Sequence, residues 1–370
     1  MKPVLIAALL FLVPLTWANH ATANQADAIF ADLKSDHAPG AAVLVLRSGR
    51  SVFERGYGVT DLCSLHPIDA HTNFRLASVS KQFTAMAVML LVHDGKLRYE
   101  DRLTDIFPDF PAYGRAITIR NLLNHTSGLL DYEDLMAKPE PGTPPQEIRQ
   151  IHDAGVLQLL KQQTTTKFTP GTKWEYSNSG YVLLGLVVQE VSGESFGDFL
   201  HDRIFAPLRM DNTVAYEKGK NRVAHRAYGH TKSGNDWQET DQSPTSATLG
   251  DGGVYSSLDD LTRWDQALRN HTLLSEAEML PALTPVRVLA GAPEEPDGKP
   301  AAYGFGWFLN PYKGHARMWH YGETVGFRTS IQRFGNGRLT IIVLCNRADK
   351  EARGLALQLA DLYLDESSAR

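Results

Sequence analysis

The chain has 370 residues, of which 43% are hydrophobic and 21% are charged, so it can bury the core of one large domain or two ordinary ones. The formal charge is −5 and no run of lysine and arginine forms a basic stripe, which argues against a nucleic-acid partner. Two cysteines exclude a disulfide scaffold, and the 13 histidines are scattered without the spacing of zinc ligands. We therefore expect no metal and no cofactor.

The N-terminus has the pattern of a secretory signal peptide. Lys2 precedes an apolar stretch at residues 4–13, and Ala21 and Ala23 provide the small residues of a cleavage site. We expect cleavage between Ala23 and Asn24 and a secreted or periplasmic protein with no further stable membrane anchor. The apolar stretch is shorter than the about 20 residues of a membrane-spanning helix, so a retained anchor is the weaker alternative.

The two cysteines, Cys63 and Cys345, would meet an oxidising compartment after export, where they could form a disulfide. The sequence leaves this open. The alternative is two separate, buried and unreactive thiols.

Strand patterns lie at both ends of the chain, and helical patterns lie mostly between them. The helical patterns are residues 24–36, 78–93, 119–124, 147–163, 177–191, 196–205, 258–269 and 350–364. The strand patterns are residues 41–46, 51–57, 303–309, 316–321, 329–334 and 339–345, with a hairpin turn at Asn336-Gly337 before the last of them. Loop-forming residues are concentrated at 218–247.

This order of elements predicts an α/β (α+β) fold. Five or six mostly antiparallel strands would pair the N-terminal with the C-terminal segments, and the terminal helices would cover them. After a signal peptide at residues 1–23, the sheet domain would comprise residues 24–72 and 271–370, with a helical insertion at residues 73–270. A cleft between the two parts is where we expect the chemistry.

The sequence Gly193-Glu-Ser195-Phe-Gly197 matches the pattern of a nucleophile elbow, which requires a sharp turn from a strand into a helix. Here the pattern follows one predicted helix and opens another. We therefore interpret Gly193 as a helix C-cap and Ser195 as the N-cap of the next helix.

Ser78 and Lys81 carry the candidate chemistry, in the segment FRLASVSKQFTA at residues 74–85. They lie three residues apart at the start of a predicted helix, so their side chains share one face. A serine hydroxyl is a weak nucleophile until a base takes its proton, and a desolvated lysine amine can be that base. Taken alone, the tetrapeptide favours a plain N-cap at Ser78.

Two further motifs favour a catalytic role for Ser78 over a plain N-cap. Residues 176–178 (YSN) open another predicted helix, where a tyrosine hydroxyl can relay a proton and an amide can bind substrate. The alternative there is an N-cap at Ser177 or Asn178. Residues 320–322 (HYG) end a predicted strand, where glycine allows a ligand to approach the backbone closely.

In this order, Ser-x-x-Lys, Tyr-x-Asn and His-x-Gly resemble the motifs of the penicillin-recognising serine hydrolases, a superfamily of class C β-lactamases, DD-peptidases and β-lactamase-like esterases. The surrounding segments 122–129 (LLNHTSGL), 170–181 (PGTKWEYSNSGY) and 252–261 (GGVYSSLDDL) agree with it. The resemblance spans about residues 26–364. It implies a β-lactamase/transpeptidase-like fold, with an α/β domain and a helical domain.

The resemblance also implies which residues react. Ser78 would be the acylated nucleophile, and Lys81 would accept its proton. Tyr176 would donate a proton to the leaving group and later accept one from the water molecule that hydrolyses the acyl-enzyme.

Other residues would bind the substrate. Asn178 would hold its amide, and the backbone N–H groups of Ser78 and Glu323 would form an oxyanion hole. His320 and Gly322 would line the cleft opposite the helical domain.

This chain departs from the class C β-lactamases at one position, where they have lysine and it has His320. Because Glu323 adds negative charge nearby, an anionic β-lactam would be held less well. A histidine is neutral near pH 7 unless a partner raises its pKa, and Glu323 could do so. Protonated His320 would then improve the binding of anionic substrates near pH 5 to 6.

The function implied is a secreted serine hydrolase that acts through an acyl-enzyme on an ester or amide. Its substrate would be a D-amino-acid peptide, a peptidoglycan fragment or a short acyl ester, with β-lactam turnover slow or absent. The alternatives are a class C-like β-lactamase and a penicillin-binding sensor of cell-wall fragments without turnover. A hydrolase centred on Ser195 is the least favoured.

Overall fold

A five-stranded antiparallel sheet joins the two ends of the chain. The computed structural model describes residues 15–138 and 147–364, with strands β1 (Ala41–Arg47), β2 (Arg50–Tyr57), β3 (Phe74–Arg75), β4 (Val214–Ala215), β5 (His230–Ser233), β6 (Asp236–Glu239), β7 (Val254–Ser256), β8 (Arg317–Thr324), β9 (Phe327–Phe334) and β10 (Leu339–Cys345). The sheet has the order β2-β1-β10-β9-β8, β3-β7-β4 is a small second sheet, and β5-β6 is a hairpin. The first two strands pair with the last three, which confirms the predicted sheet.

Helices cover both faces of this sheet. In the described residues they are α1 (Leu15–Ile29), α2 (Lys81–His93), α3 (Leu103–Ile106), α4 (Ile119–Leu123), α5 (Tyr132–Leu135), α6 (Asp153–Lys161), α7 (Asn178–Ser192), α8 (Phe196–Leu200), α9 (Leu258–Asn270), α10 (Glu276–Met279) and α11 (Ala352–Tyr363). The terminal helices α1 and α11 pack on each other, and α11 packs on β9 and β10. This agrees with the prediction that the terminal helices flank the sheet.

The side chains of β1 alternate between two cores. Val43 and Val45 pack with Phe30 beside α1 and Leu359 of α11, whereas Leu44 belongs to the larger core that contains α2 and α7. Successive side chains of a strand point to opposite faces, so a continuous apolar run is expected where both faces are buried. The sheet is therefore the layer that separates the terminal helices from the helical region.

Three element ends meet at one place. Lys81 is the first residue of α2 and Asn178 is the first residue of α7, and Lys81 Nζ lies 2.9 Å from Asn178 Oδ1. Near the end of β8, Gly322 lies against the turn before α2, where a Cβ atom would be only 2.1 Å from the Leu76 carbonyl oxygen. Glycine at 322 is what lets the strand and the turn come this close.

The strand predicted at residues 303–309 is wrong. The segment makes only isolated bridges, such as that between Tyr303 and Phe308. A Cβ atom at Gly304 would lie 1.9 Å from a carbonyl oxygen of residue 282, and Gly306 has a φ of +73°. The two glycines fold the segment into a tight loop against its neighbours, which prevents it from extending as a strand.

The helix predicted at residues 147–163 is shorter than expected. The backbone N–H of Ile151 donates to the Pro244 carbonyl and His152 bridges to Ala247, so the chain is held extended until α6 begins at Asp153.

The loop predicted at residues 218–247 contains the β5–β6 hairpin. It turns at Gly234, whose φ is +64°, followed by an asparagine. A glycine-asparagine pair is a hairpin signal, so the sequence did contain this information.

Residues 1–14 of the predicted signal peptide lie outside the described residues. Helix α1 runs across the predicted cleavage point, and both the signal peptide and the domain boundaries stay predictions. Within residues 15–138 and 147–364, no helix is long and apolar enough to cross a membrane. Cys63 is exposed, Cys345 is buried, and both are free thiols, so the possible disulfide is not formed.

Candidate active site

Ser78 lies in a single 3₁₀ turn, residues Ala77–Ser80, between β3 and α2. It is partly exposed, whereas Ala77 and Val79 on either side are buried. Ala77 has a φ of +48°, a left-handed conformation that strains an alanine. Ser78 therefore precedes the helix rather than capping it, and the strained turn presents its hydroxyl at the surface.

The Lys81 amine is completely buried beside that hydroxyl. Its Nζ lies 3.0 Å from Ser78 Oγ, 2.9 Å from Asn178 Oδ1 and 2.8 Å from the main-chain oxygen of Asp251. Burial lowers the pKa of Lys81 to about 8, although nearby carboxylates oppose the shift. The two hydrogens of a neutral amine can satisfy the asparagine and the carbonyl, which leaves its lone pair for the serine proton.

Tyr176 lies on the other side of Ser78. Its hydroxyl lies near the Ser78 hydroxyl, which acts on the pKa of the phenol, and Lys81 Nζ lies 5.0 Å from the centre of its ring. Burial raises the pKa of this phenol, so it holds its proton at neutral pH. A group that keeps a proton next to the nucleophile can donate it to a leaving group.

The start of α7 fixes the next residues. Ser177 is its N-cap, because its Oγ accepts a hydrogen bond from the Gly180 N–H over 3.1 Å. Asn178 then points its amide into the site, where Oδ1 faces Lys81 and Nδ2 donates to Glu133 Oε1 over 3.2 Å. An amide nitrogen has two hydrogens, so one of them is left for a substrate.

His320 is fully buried rather than exposed in the cleft. Its Nε2 lies 3.2 Å from the Tyr303 hydroxyl and its Nδ1 lies 2.7 Å from the Tyr321 carbonyl oxygen. Burial, helped by the charge of Lys81, lowers the pKa of His320 to about 3. The expectation that Glu323 would raise this pKa is therefore wrong, because Glu323 lies exposed at the end of β8 while the imidazole is enclosed.

His125, Tyr303, Glu133 and Asp251 surround the site but were not among the predicted residues. His125 is buried, its Nδ1 accepts the backbone N–H of Ser177 over 3.1 Å, and burial lowers its pKa well below the usual value. Its position inside the segment LLNHTSGL was the one signal available for it. The other three come from distant parts of the chain, and no local pattern marks them.

A cavity of about 370 Å³ opens next to these residues. Glu133 of α5 and Glu323 of β8 both line it, together with Met136 and a loop around Pro244. Lys138 lines it as well, so two carboxylates and one ammonium leave the lining with a net charge that is negative. Among the described residues, no group of three or more histidine, cysteine, aspartate or glutamate side chains could hold a metal ion.

Of the predicted site residues, Ser78, Tyr176 and Asn178 all lie next to the Lys81 amine. The others lie on β8: Gly322 packs on the turn before Ser78, His320 lies behind Tyr176 with ring centres 6.2 Å apart, and Glu323 lines the cavity.

Ser195 also has a lysine beside it, but the environment differs. Its Oγ accepts the Asp198 N–H over 3.2 Å as the N-cap of α8, and Lys220 Nζ lies 2.9 Å away. A hydrogen bond to Glu217 raises the pKa of the exposed Lys220, so this amine stays charged and cannot act as a base. Gly193 has a φ of +78° as the C-cap of α7, and the structural interpretation of this motif is confirmed.

Comparison with known proteins agrees with this geometry. The sequence model of the Beta-lactamase family matches residues 26–364. Penicillin-binding protein 4* of Bacillus subtilis is 34% identical over 350 residues, which are 91% of this chain and 74% of that protein. A D-aminopeptidase of Brucella ovis is 29% identical over 320 residues, 83% of this chain but 56% of the relative, so the chain spans little more than half of that protein.

Solved structures have the same fold. D-amino acid amidase from Ochrobactrum anthropi SV3 superposes with a TM-score of 0.76 at 23% identity, over 93% of this chain and 98% of that one. A penicillin-binding protein from Bacillus halodurans gives a TM-score of 0.71 at 26% identity, over 91% and 98%. Since the family model covers nearly the whole chain, this protein belongs to the beta-lactamase family and is a serine hydrolase of the penicillin-recognising superfamily.

Proposed function

We propose that this protein is an exported serine hydrolase that acts through an acyl-enzyme on amides or peptides of D-amino acids, and more slowly on short acyl esters. The observation that carries the proposal is the 3.0 Å contact between the partly exposed Ser78 hydroxyl and the buried Lys81 amine. A base with a pKa of about 8 is neutral in a useful fraction of molecules near pH 7.

The chemistry starts with proton transfer from Ser78 to Lys81 as the serine oxygen forms a bond to the substrate carbonyl carbon. The backbone N–H groups of Ser78 and Glu323 would stabilise the oxyanion. Tyr176 then gives a proton to the leaving amine or alkoxide, the bond to that group breaks, and the Lys81 proton restores the phenol. Water enters and reverses these steps on the acyl-enzyme, releasing the acid and free Ser78.

Glu133 supports a substrate with a free amino group. Its carboxylate borders the cavity and accepts a hydrogen bond from Asn178. The same asparagine side chain contacts Lys81, the proposed base. An ammonium group could bind there, whereas a β-lactam carboxylate would face Glu133 and Glu323 with a neutral His320. One relative is named as a D-aminopeptidase, and we propose the same class of substrate for this chain.

The first experiment is labelling with a fluorophosphonate probe followed by peptide mapping. We expect a label on Ser78. A label on Ser195, or none on folded protein, would contradict the proposed nucleophile.

The second experiment measures kcat/KM for D-alanine p-nitroanilide, its L-enantiomer, the N-acetyl D-derivative and nitrocefin. We expect the D-compound with a free amine to be the best substrate. Glu133→Gln should lower its kcat/KM about tenfold and leave the N-acetyl derivative unchanged, because only the first carries a cation. Equal losses for both would show that Glu133 does not bind the amine.

The B. subtilis relative is named as a penicillin-binding protein, so binding without turnover is the competing function. It predicts stable labelling of Ser78 by penicillin with no release of p-nitroaniline. Rapid turnover of nitrocefin would instead support a class C-like β-lactamase.

A further inference from the structure

The loop before β7 lies directly beneath the Lys81 amine and is fixed from several sides. The Thr84 hydroxyl donates to the Gly250 carbonyl over 2.6 Å, and the Leu249 N–H donates to Asp153 Oδ1 over 3.1 Å. A Cβ atom at Gly250 would be 2.3 Å from the main-chain oxygen of Tyr181. The backbone position of the next residue, Asp251, is therefore set by α2, α6 and α7 together.

The Asp251 carboxylate is buried, and no cationic side chain of residues 15–138 and 147–364 forms an ion pair with it. The residue is 6% exposed, and its Oδ2 accepts a hydrogen bond from the buried Tyr132 hydroxyl over 3.0 Å. Its Oδ1 is buried and has no hydrogen-bond partner among the residues that the structure describes. A buried carboxylate left in this state costs stability unless a nearby positive charge compensates it.

Lys81 lies beside this residue, because its Nζ is 2.8 Å from the Asp251 main-chain oxygen. Of the charges that raise the pKa of Lys81 against the effect of burial, Asp251 is the largest, ahead of Glu133 and Asp131. Other titratable groups around the amine come from three other parts of the site: His125 after α4, Tyr176 just before α7 and Tyr181 within it, and His320 on β8. Burial keeps both histidines neutral and both phenols protonated, so among the groups described around the amine it is the carboxylates that supply charge.

We propose that Asp251 is a positioning residue for the general base: its carboxylate, held by Tyr132, stabilises the ammonium form that Lys81 adopts each time Ser78 is acylated. This inference rests on the proposed Ser78–Lys81 chemistry. The serine proton moves to the Lys81 lone pair while the serine oxygen bonds to the carbonyl carbon, so an ammonium forms in a site from which water is excluded. Burial alone would make the amine too weak a base, and the fixed carboxylate restores part of its proton affinity.

Asp251→Asn tests the charge with little change of shape. An asparagine oxygen can still accept the Tyr132 hydrogen bond, and the main-chain oxygen still faces Lys81. The rate of fluorophosphonate labelling at Ser78, measured from pH 5 to 10, reports the neutral fraction of Lys81 and does not depend on the natural substrate. We expect the midpoint of the rise to move to lower pH by about half a unit or more, and the plateau rate to fall several-fold.

Two matched variants complete the test. Asp153→Asn removes a second carboxylate that borders the same loop, whose pKa burial raises to about 7, and it should leave the midpoint in place. Asp251→Ala should shift the midpoint in the same direction as Asp251→Asn, and it replaces that variant if the asparagine protein does not fold.

Each outcome has one meaning. An unmoved midpoint in folded Asp251→Asn or Asp251→Ala would overturn the inference, because a purely structural residue changes the amount of active protein and not its pH dependence. Loss of the rise in Asp153→Asn would also overturn it, since the titrating group would then be Asp153. Absence of labelling in the wild-type protein would instead refute the proposed function.

Discussion

The hydroxyl of Tyr303 lies 3.2 Å from Nε2 of His320, within hydrogen-bond distance. Nδ1 of the same imidazole faces the carbonyl oxygen of Tyr321 at 2.7 Å and must carry the ring proton, because a carbonyl can only accept. Because burial lowers the pKa of His320 to about 3, the imidazole is neutral, and its Nε2 accepts the hydrogen bond from the Tyr303 hydroxyl in a single tautomer. The cleft wall presents no positive charge where the class C β-lactamases, by resemblance, would have a lysine.

This neutrality predicts how substrate preference depends on pH. The ratio of kcat/KM for nitrocefin to that for p-nitrophenyl butyrate should stay low and constant from pH 5 to 7, because His320 has a pKa of about 3 and does not gain a proton there. Titration of Lys81 affects both substrates and cancels in the ratio. Burial raises the pKa of Glu133, so this carboxylate could also gain a proton in that range. The same measurement on Glu133→Gln removes its contribution. A ratio that rises toward pH 5 in this variant as well would show that His320 becomes charged.

The two serines with a neighbouring lysine give a matched pair of variants. Ser78→Ala should abolish labelling and lower turnover by orders of magnitude with the fold intact, since the proposed nucleophile is removed. Ser195→Ala should keep wild-type activity and lower the free energy of unfolding by about 1 kcal/mol through loss of the α8 cap. Labelling, turnover and urea unfolding of both proteins measure this. Activity in Ser78→Ala would be incompatible with the assignment.

The pKa of Lys81 predicts how kcat/KM falls on the acidic side of the pH profile. The reaction requires the neutral amine, so kcat/KM should increase with pH and level off above the Lys81 pKa of about 8. Lys81→Arg should be nearly inactive at every pH, because a guanidinium does not lose its proton. Lys220→Arg, at the exposed Ser195, should behave as wild type and is the control. A Lys81→Arg protein with most of its activity would mean that Lys81 acts only through its charge.

The fold was predictable to the extent that its signals are local. The strands at both ends follow from apolar runs and from the Asn336-Gly337 turn, whose residues have φ values of +56° and +78° as such turns require. The segment at 303–309 misled because alternating apolar residues suit a strand. Its glycines make close backbone contacts with residues 282 and 81 that no local pattern reveals.

The same limit applies to the site. Short motifs near helix starts predict Ser78, Lys81 and Asn178 as site residues, and the structure brings Ser78 and Asn178 to the Lys81 amine. The charge state of His320 was not, because it depends on enclosure by residues such as Tyr303 and on the distance to Lys81. Glu133 reaches Asn178 from 45 residues away, a contact created only by the packing of α5 against α7.

The last prediction concerns Gly322, where β8 contacts the chain just before the 3₁₀ turn Ala77–Ser80. A methyl group at 322 would lie 2.1 Å from the Leu76 carbonyl oxygen and 2.4 Å from Thr329 Oγ1, so the turn that holds Ser78 must move. Gly322→Ala should therefore slow labelling about a hundredfold or more and lower the free energy of unfolding by about 1 to 3 kcal/mol.

Gly252→Ala is the control, because it lies beside the same turn but its added methyl would be 3.6 Å from Ala77, an ordinary contact. It should label at close to the wild-type rate. Comparison of labelling rates and urea unfolding for the two variants separates a general effect of alanine from the specific contact. If Gly322→Ala labels as fast as Gly252→Ala, the close approach of β8 does not position Ser78. The strain at Ala77 would then be maintained by other contacts of the turn, such as the hydrogen bonds from the Leu76 N–H to the Val254 carbonyl and from the Thr329 hydroxyl to the Leu76 carbonyl.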